Sequence, residues 1–323
     1  MFYKISKDRW DTALPHHKKI ENGRKWLKFM TTVPPYLTWE RVELDNFEIS
    51  PIRGWPTPKH PWQGSSEKKP WDYEVTAAIP CLGTFEQLEI VVELLRLQTI
   101  KPFIMLIDTG STDEELEQIK SLRNADLEVH SLQLNAVRHP SDFPAMAMDT
   151  AFTLCRTEFL FATHADCFLR KRNFLEELLI LTKNKSPVVG YQLTPRPHKD
   201  WKGMVSHTAT MFHVPSMDKI GFGWSLRRLC NQFNLVDYSP IPTRPNWPDT
   251  EILGNYILRK NKIVPYLIGD EENTERTLDD NIDHCRSFTS GKLYDSAYFS
   301  KVNECYNEAK KEALKRIESW KNI

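Results

Sequence analysis

Short apolar runs alternate with helical hydrophobic patterns along residues 74–120. Glu74–Pro80 and Phe103–Ile107 are mostly apolar, which predicts two buried strands. Between them, apolar side chains recur at helical spacing, at Phe85, Leu88, Val91, Val92 and Leu95. After Asp108, a polar turn leads into a second helix, whose start allows a capping box of Ser111 with Glu114 or of Thr112 with Glu115. The order strand, helix, strand, helix predicts an α/β fold.

The same patterns continue toward the C-terminus. Further strands are predicted over Leu127–Leu134, within Glu158–Phe168, and over Pro187–Thr194 and Met204–Val214. A helix is predicted over Pro144–Cys155, and Asn173 with Glu176 predicts a capping box for the next helix. A long amphipathic helix begins at about Ser296, and its polar face alternates acids with bases. This alternation favours packing of its apolar face against the preceding α/β domain over dimerisation or membrane contact.

Residues 1–70 differ in composition from the rest of the chain. They hold eight of the 21 prolines and five of the ten tryptophans, which predicts an extended arm that packs on the domain that follows. An alternative is that the indole faces of its tryptophans form a binding platform. The predicted organisation is therefore an N-terminal extension over residues 1–70, a main α/β domain over residues 71–290 and a C-terminal helix over residues 291–323.

Charge and cysteine content narrow the classes of partner. The 323 residues include 43 basic and 43 acidic side chains, so the chain has no overall field for nucleic acid, although a local patch stays open. Six cysteines form no C-x-x-C pair, which is typical of reduced thiols in a cytoplasmic protein. No apolar run has the length of a transmembrane segment. Peripheral attachment to a membrane stays an open alternative.

The turn at Asp108 is the first candidate site. An acidic residue at the carboxyl end of a buried strand lies where open α/β sheets bind ligands. The alternative interpretation is that Asp108 only caps the turn.

The residues around this turn carry a resemblance to a known family. Pro80, Gln98-Thr99 and the run Asp108, Gly110, Ser111, Thr112 and Asp113 resemble the opening pattern of family 2 nucleotide-sugar glycosyltransferases of the GT-A fold. The chain departs from that pattern at Cys81 and Leu82, which replace polar residues, and at Thr109, which replaces a second acid. The resemblance implies a Rossmann-like, mainly parallel mixed sheet flanked by helices. It also implies that Pro80, Asp108, Gly110, Ser111 and Asp166 bind the nucleotide of a UDP-sugar.

A second stretch ends in His164-Ala165-Asp166. The family carries an acid-x-acid motif at this point, which implies that Asp166 and His164 hold Mn²⁺ or Mg²⁺ against the diphosphate. His284 is the candidate for a third metal ligand that many GT-A enzymes carry. Because His164 replaces the first acid and imidazole suits Mn²⁺ better than Mg²⁺, the choice of metal stays open. The alternative is that His164 and Asp166 bond only to their own loop.

A third stretch, Pro248–Val264, resembles the helix, turn and strand that carry the catalytic base of the family. The family's Glu-Asp pair is split here into Asp249-Thr250-Glu251, and one of the two acids is expected to take the proton of the acceptor hydroxyl. Alignment from the turn at residues 261–262 places Asp249 on the family's first acid. The alternative is that both acids only stabilise the helix N-terminus.

Residues for the acceptor are predicted from a strand and a loop. His207 and His213 lie on one face if their strand is regular, and His207 is the candidate substrate contact. Ile220–Trp224 resembles the glycine-rich acceptor loop of the family, which implies sugar stacking on Trp224 and a phosphate contact from Arg227 or Arg228. The alternatives are a histidine satisfied within the sheet and an arginine solvated on a helix face.

The expected activity is metal-assisted transfer of a sugar from a UDP-sugar to a hydroxyl acceptor with inversion, by a hexosyltransferase-type enzyme. The acceptor is unknown. Sugar-1-phosphate nucleotidyltransferases are disfavoured because Cys81–Thr84 lacks the glycine-rich, arginine-containing loop that they need. Two alternatives stay open: a catalytically silent module that binds nucleotide sugars or glycans, and a GT-A enzyme that modifies a nucleic acid or peptide.

Overall fold

The computed structural model describes residues 72–132, 142–193, 203–224, 251–270, 276–285 and 296–323. The predicted N-terminal arm lies outside these residues. The strands are β1 (Val75–Cys81), β2 (Phe103–Asp108), β3 (Leu127–Ser131), β4 (Phe159–Ala162), β5 (Cys167–Leu169), β6 (Val188–Gln192), β7 (Thr210–His213), β8 (Tyr266–Asp270), β9 (Arg276–Leu278) and β10 (Ile282–Cys285). The helices are α1 (Phe85–Arg96), α2 (Asp113–Lys120), α3 (Asp142–Leu154), α4 (Phe174–Asn184), α5 (Val214–Lys219), α6 (Glu251–Lys260) and α7 (Ser296–Lys321).

Seven of these strands form a mixed, mainly parallel sheet in the order β3-β2-β1-β4-β7-β6-β8. Strand β7 pairs antiparallel with both β4 and β6, while the other pairs are parallel. Strands β1 and β2 consist mainly of apolar residues because helices cover both of their faces. Cys81, Asp108 and Ser131 lie side by side where β1, β2 and β3 end. The GT-A-like architecture expected from the sequence is therefore confirmed.

Two apolar clusters pack against the sheet. The first contains side chains from α1, α4 and α7, and the second contains side chains from α3 and α6. The Gln98-Thr99 pair joins α1 to the start of α4. The Gln98 side chain donates to the Lys171 carbonyl and accepts from the Leu175 backbone, at 3.0 and 3.2 Å. This part of the family pattern is therefore structural.

A smaller antiparallel sheet, β5-β10-β9, lies under the C-terminal helix. The predicted apolar face of α7 is buried at Val302, Tyr306, Ala309, Ala313, Ile317 and Trp320. Tyr306 packs on Phe168 of β5, with ring centres 6.1 Å apart, and the Arg316 side chain donates to the Leu169 carbonyl at 2.8 Å. The helix thus packs on the domain, as the sequence predicts.

Several local predictions need correction. The capping box forms with Thr112 and Glu115, but Asn173 makes no side-chain cap and instead donates to Glu177. Helix α3 begins at Asp142, two residues before its proline.

The predicted strand over 204–214 is regular only from Thr210 to His213. Ala209 has a φ of 49°, so the backbone leaves the extended conformation between the two histidines of this segment. The prediction that His207 and His213 share a strand face is therefore wrong.

Candidate donor and metal site

Asp108 ends β2 with its carboxylate inside the following turn. Its Oδ1 accepts hydrogen bonds from the backbone N–H groups of Gly110 and Ser111, at 3.4 and 3.0 Å, and from the Ser111 hydroxyl. Its Oδ2 accepts from the Ser131 hydroxyl at 2.9 Å. Asp108 therefore caps the turn, and within the described residues Ser131 occupies one of the two acceptor positions of Oδ2. The Asp108 side chain is fully buried.

The loop after β1 packs closely on this turn. The Gly83 N–H donates to Ser111 Oγ at 2.7 Å, and Thr109 donates to the Cys81 carbonyl through both its backbone N–H and its hydroxyl. A Cβ on Gly83 would lie 2.4 Å from the Glu115 carboxylate, and its φ of +55° also favours glycine. Burial raises the pKa of the Cys81 thiol well above its usual value, and the negative charge of Asp108 adds to this shift. Cys81 is thus a neutral, apolar contact at this edge of the sheet.

His164, Asp166 and His284 come together where the two sheets meet. His164 follows the end of β4, and Asp166 immediately precedes β5. Strand β10 pairs His284 with Cys167, and the Cys285 N–H donates to the Asp166 carbonyl at 2.9 Å. His284 lies within β10. The sheet register therefore brings together residues that are 120 positions apart in the sequence.

The geometry of these three side chains suits a divalent cation. One ligand atom from each lies within 4.8 Å of the other two. Oδ1 of Asp166 is 3.8 Å from Nδ1 of His164 and 3.5 Å from Nε2 of His284. Ligand atoms around one ion lie roughly 3 to 4 Å apart, because each is about 2.0–2.2 Å from the metal. Imidazole nitrogens and carboxylate oxygens both bind divalent cations, so these three side chains are a candidate cation site.

His207 and Glu251 form a buried pair beside this cluster. His207 Nδ1 and Glu251 Oε1 are 2.6 Å apart, and each side chain is 7% exposed. The His207 ring lies 4.3 Å from the His164 ring, centre to centre. Glu251 is the first residue of α6, so the structure brings one acid of the predicted base motif to the site.

The remaining predicted site residues are Trp224, Asp249, Arg227 and Pro80. Trp224 is fully buried among Phe212, Phe222 and His207, so a sugar could reach the indole only by displacing one of these rings. Its role in acceptor binding stays a prediction. Asp249 and Arg227 lie outside the described residues. Pro80 lies within β1 opposite Ile107, and its contact with a nucleotide stays a prediction.

Three polar residues at the site were not predicted from the sequence. Ser131 donates to Asp108, Asp149 accepts from the backbone N–H of Trp224 at 2.7 Å, and Asn255 binds both backbone groups of Val205. The signal for Asn255 was its position one helical turn after Glu251, which places both on one face of α6. Ser131 and Asp149 carry no comparable signal because their partners are distant in sequence.

Five cysteines lie in the described part of the chain. Cys81, Cys155, Cys167, Cys285 and Cys305 are all free thiols. Within the described part of the chain, every helix is too short or too polar to cross a bilayer. A cytoplasmic location stays a prediction from the cysteine pattern.

Comparisons with known proteins agree with this fold. The profile of the family described as "Glycosyl transferase family 2" matches residues 76–237. No curated protein matches the chain. Among solved structures, the chain is similar to S. aureus TarS 1–349 in complex with UDP, with 14% identity and a TM-score of 0.37, over 50% of this chain and 53% of that one. The chain thus matches about half the length of that protein.

Two further solved structures are similar to the chain. The mannosyltransferase PcManGT from Pyrobaculum calidifontis, in complex with GDP-Man and Mn²⁺, has 13% identity and a TM-score of 0.44, over 93% of this chain and 84% of that one. Glucosyl-3-phosphoglycerate synthase from Mycobacterium tuberculosis, in complex with phosphoglyceric acid, has 15% identity and a TM-score of 0.38, over 64% of this chain and 74% of that one.

Proposed function

This chain belongs to glycosyl transferase family 2, and from this premise we propose that it moves a sugar from a UDP-sugar to a hydroxyl acceptor, with inversion and with the help of Mn²⁺ or Mg²⁺. The family match makes it a transferase of the type that uses nucleotide-sugar donors, which removes the alternative of a catalytically silent module. The finer assignments rest on the residues of the site.

The convergence of His164, Asp166 and His284 is the observation that carries this proposal. Their ligand atoms lie within 4.8 Å of one another at the carboxyl edge of the parallel strands, where α/β sheets bind ligands. Asp108 ends a neighbouring part of the same edge, since β1 lies between β2 and β4. A nucleotide bound at Asp108 would therefore extend its diphosphate toward the cluster.

Each end of the donor has a candidate partner among the chain's own residues. Oδ2 of Asp108 can accept a base N–H, and the third nitrogen position of uracil offers one. Asp166, His164 and His284 would hold the cation, which when bound offsets the negative charge that grows on the leaving diphosphate. The same edge of the sheet thus binds the base at one end and the diphosphate at the other.

Inversion requires a base on the face opposite the diphosphate. The acceptor oxygen forms a bond to the anomeric carbon while the bond from that carbon to the phosphate oxygen breaks. The proton of the acceptor hydroxyl passes to a carboxylate of the Asp249 and Glu251 pair, and the products are the glycoside and the nucleoside diphosphate. We propose a catalytic domain over residues 71–290, with an N-terminal extension over 1–70 that packs on it and a C-terminal helix over 291–323.

A nucleotide-sugar screen with and without Mn²⁺ tests this function. The matching UDP-sugar, present at a hundred times its dissociation constant, should stabilise the protein by about 2.7 kcal/mol in thermal unfolding. Asp166→Ala should abolish the part of this stabilisation that depends on Mn²⁺.

A matched control is Asp126→Ala, at the opposite edge of the sheet, where Asp126 pairs with Arg96 and is 27% exposed. This variant should keep the full response to Mn²⁺. Stabilisation by UDP-sugars that is equal with Mn²⁺ and with EDTA would show that metal assistance is wrong. Preference for a different nucleotide would show that the UDP assignment is wrong.

A further inference from the structure

We propose that Glu251 and His207 act as a positioning pair that orients the metal ligand His164, and that Glu251 is not the base. This inference rests on the proposed function, because it assumes that His164 binds the cation. It leaves Asp249 as the base of the motif. A positioning role and a base role for Glu251 predict different measurements, which makes the two separable.

The contact between Glu251 and His207 is short and shielded from water. Nδ1 of His207 lies 2.6 Å from Oε1 of Glu251, with both side chains 7% exposed. A carboxylate can only accept, so Nδ1 of His207 carries the proton of this bond and the imidazole tautomer is fixed. Outer carboxylates that bind the imidazoles of metal sites fix ring orientation in the same way.

Helix α6 holds Glu251 at this position. One turn after Glu251, the Asn255 side chain accepts from the Val205 N–H at 2.8 Å and donates to the Val205 carbonyl at 2.7 Å. It also donates to the Glu251 carbonyl at 2.9 Å. A Cβ on Gly254 would lie 2.9 Å from the Phe222 ring, so glycine permits the close approach of the helix. The helix is therefore fixed against the segment that carries His207.

The backbone around His207 is also constrained. Ser206 donates through its N–H to the Tyr191 carbonyl at 2.8 Å, and its own carbonyl accepts from the Thr210 hydroxyl at 2.7 Å. Ala209 has a φ of 49°, a conformation that costs a residue other than glycine roughly 1–3 kcal/mol. Such an unfavourable conformation persists because the surrounding bonds determine it, and the result is that His207 points toward Glu251.

On the side away from Glu251, the His207 ring contacts His164, one of the three candidate metal ligands. The rings of His207 and His164 are 4.3 Å apart at an interplanar angle of 50°, and Trp224 lies on another side of His207 at 5.5 Å. His284 stands nearly perpendicular to His164, at 5.4 Å and 83°. His164 thus has an aromatic neighbour on two sides, and one of these neighbours is fixed by Glu251. Loss of the Glu251 contact should let both rings turn.

The test measures Mn²⁺ affinity in the absence of any substrate, by calorimetry and by electron paramagnetic resonance of the free ion. Glu251→Gln should weaken Mn²⁺ binding by up to about 10-fold, below the 10- to 100-fold usual for a direct partner of a metal ligand, because Glu251 reaches His164 only through His207 and an amide oxygen can still accept from Nδ1. Glu251→Ala, which removes the contact, should cause a larger loss. The control is Glu128, whose carboxylate lies 2.8 Å from His130 Nε2 with each side chain 4% exposed. The two atoms are not hydrogen-bonded, so this variant controls for loss of a buried glutamate charge beside a histidine. Glu128→Gln should leave Mn²⁺ affinity unchanged.

A double-mutant cycle shows whether the effect passes through His164. Once His164→Ala has removed the ligand, adding Glu251→Gln should cause no further loss of Mn²⁺ affinity. Equal losses from Glu251→Gln in the presence and absence of His164 would contradict a positioning role.

The remaining outcomes separate this inference from the proposed function. Unchanged Mn²⁺ affinity together with lower turnover in Glu251→Gln would make Glu251 the base and overturn the positioning role, while the proposed function stands. Failure of the unaltered protein to bind Mn²⁺ would overturn both the metal assignment and the positioning role.

Discussion

The two halves of the candidate site are built in opposite ways. The Asp108 turn is largely local, since the N–H groups of Gly110 and Ser111 donate to Asp108 Oδ1, while Ser131 on the adjacent strand donates to Oδ2. The cluster of His164, Asp166 and His284 combines residues up to 120 positions apart in the sequence. Oδ1 of Asp166 lies 3.5 and 3.8 Å from the nearest nitrogens of the two imidazoles. The turn supplies hydrogen bonds to both oxygens of its own carboxylate, whereas the cluster has the spacing of ligands around an ion. Local sequence can therefore specify most of the Asp108 turn, while the cluster of His164, Asp166 and His284 depends on the whole fold.

The largest expected effect concerns the base and sharpens the contrast between Asp249 and Glu251. Asp249→Asn should lower turnover by about 10²- to 10⁴-fold, the usual contribution of a general base. Mn²⁺ affinity and nucleotide affinity should stay unchanged, because the carboxylate acts only in the transition state. Steady-state kinetics with the donor found in the screen, together with Mn²⁺ calorimetry, checks this. Full activity in Asp249→Asn would mean that the base lies elsewhere.

The second prediction tests whether the metal half depends on the small sheet. Arg276 binds both oxygens of Asp283 at 2.7 and 2.8 Å, and Asp283 is almost fully buried beside His284. Arg276→Ala should cost about 3–5 kcal/mol of unfolding free energy, because it leaves an uncompensated buried charge, and should weaken Mn²⁺ binding. Denaturant unfolding and Mn²⁺ titration measure both effects.

The control for Arg276 is Arg96→Ala. Arg96 also pairs with an aspartate, but both side chains are about a quarter exposed. Its loss should cost about 0–1 kcal/mol, as for most surface ion pairs, without any change in Mn²⁺ affinity. Equal costs for the two arginines would remove the contrast between a buried and an exposed pair.

The third prediction concerns the Asp108 turn, which is the proposed nucleotide-binding part of the site. Asp108→Asn should weaken UDP binding by about 10-fold, since a hydrogen bond to a charged group contributes roughly 1.5–3 kcal/mol and an amide keeps part of it. Binding of Mn²⁺ without nucleotide should stay unchanged. Calorimetry with UDP decides the matter, and an unaltered UDP affinity would leave Asp108 with its turn-capping role alone.

The smallest expected effect is purely structural. Thr112 caps α2 by accepting from the Glu115 N–H at 3.2 Å. Thr112→Ala should lower the unfolding free energy by about 1 kcal/mol. UDP and Mn²⁺ affinities should stay as they are, which thermal unfolding and calorimetry can check together. A loss of UDP affinity would mean that the cap also shapes the nucleotide turn.

The sequence predicted the structure best where that structure depends on residues close together along the chain. The strand, turn and helix around Asp108 follow from apolar runs and capping residues, and the structure has them within one or two residues. His207 and Glu251 were both candidates, but their contact was not predicted, because it depends on the unusual conformation of Ala209 and on the docking of α6. No local pattern encodes either feature. Proximity of His164 and His284 was predicted only through family resemblance, since a β5 and β10 pairing has no signal in a single sequence.

The small sheet has a consequence for the order in which the protein is made. Strands β5 and β10 are neighbours in space, but residues 170–281 separate them in the chain. At a synthesis rate of about 5–20 residues per second, β5 waits roughly 6 to 22 s for its partner to leave the ribosome. The strands beside Asp108 emerge long before that and can pair while translation continues. During biosynthesis the Asp108 turn can therefore form first, and the cluster of His164, Asp166 and His284 is completed only after β10 has been synthesised.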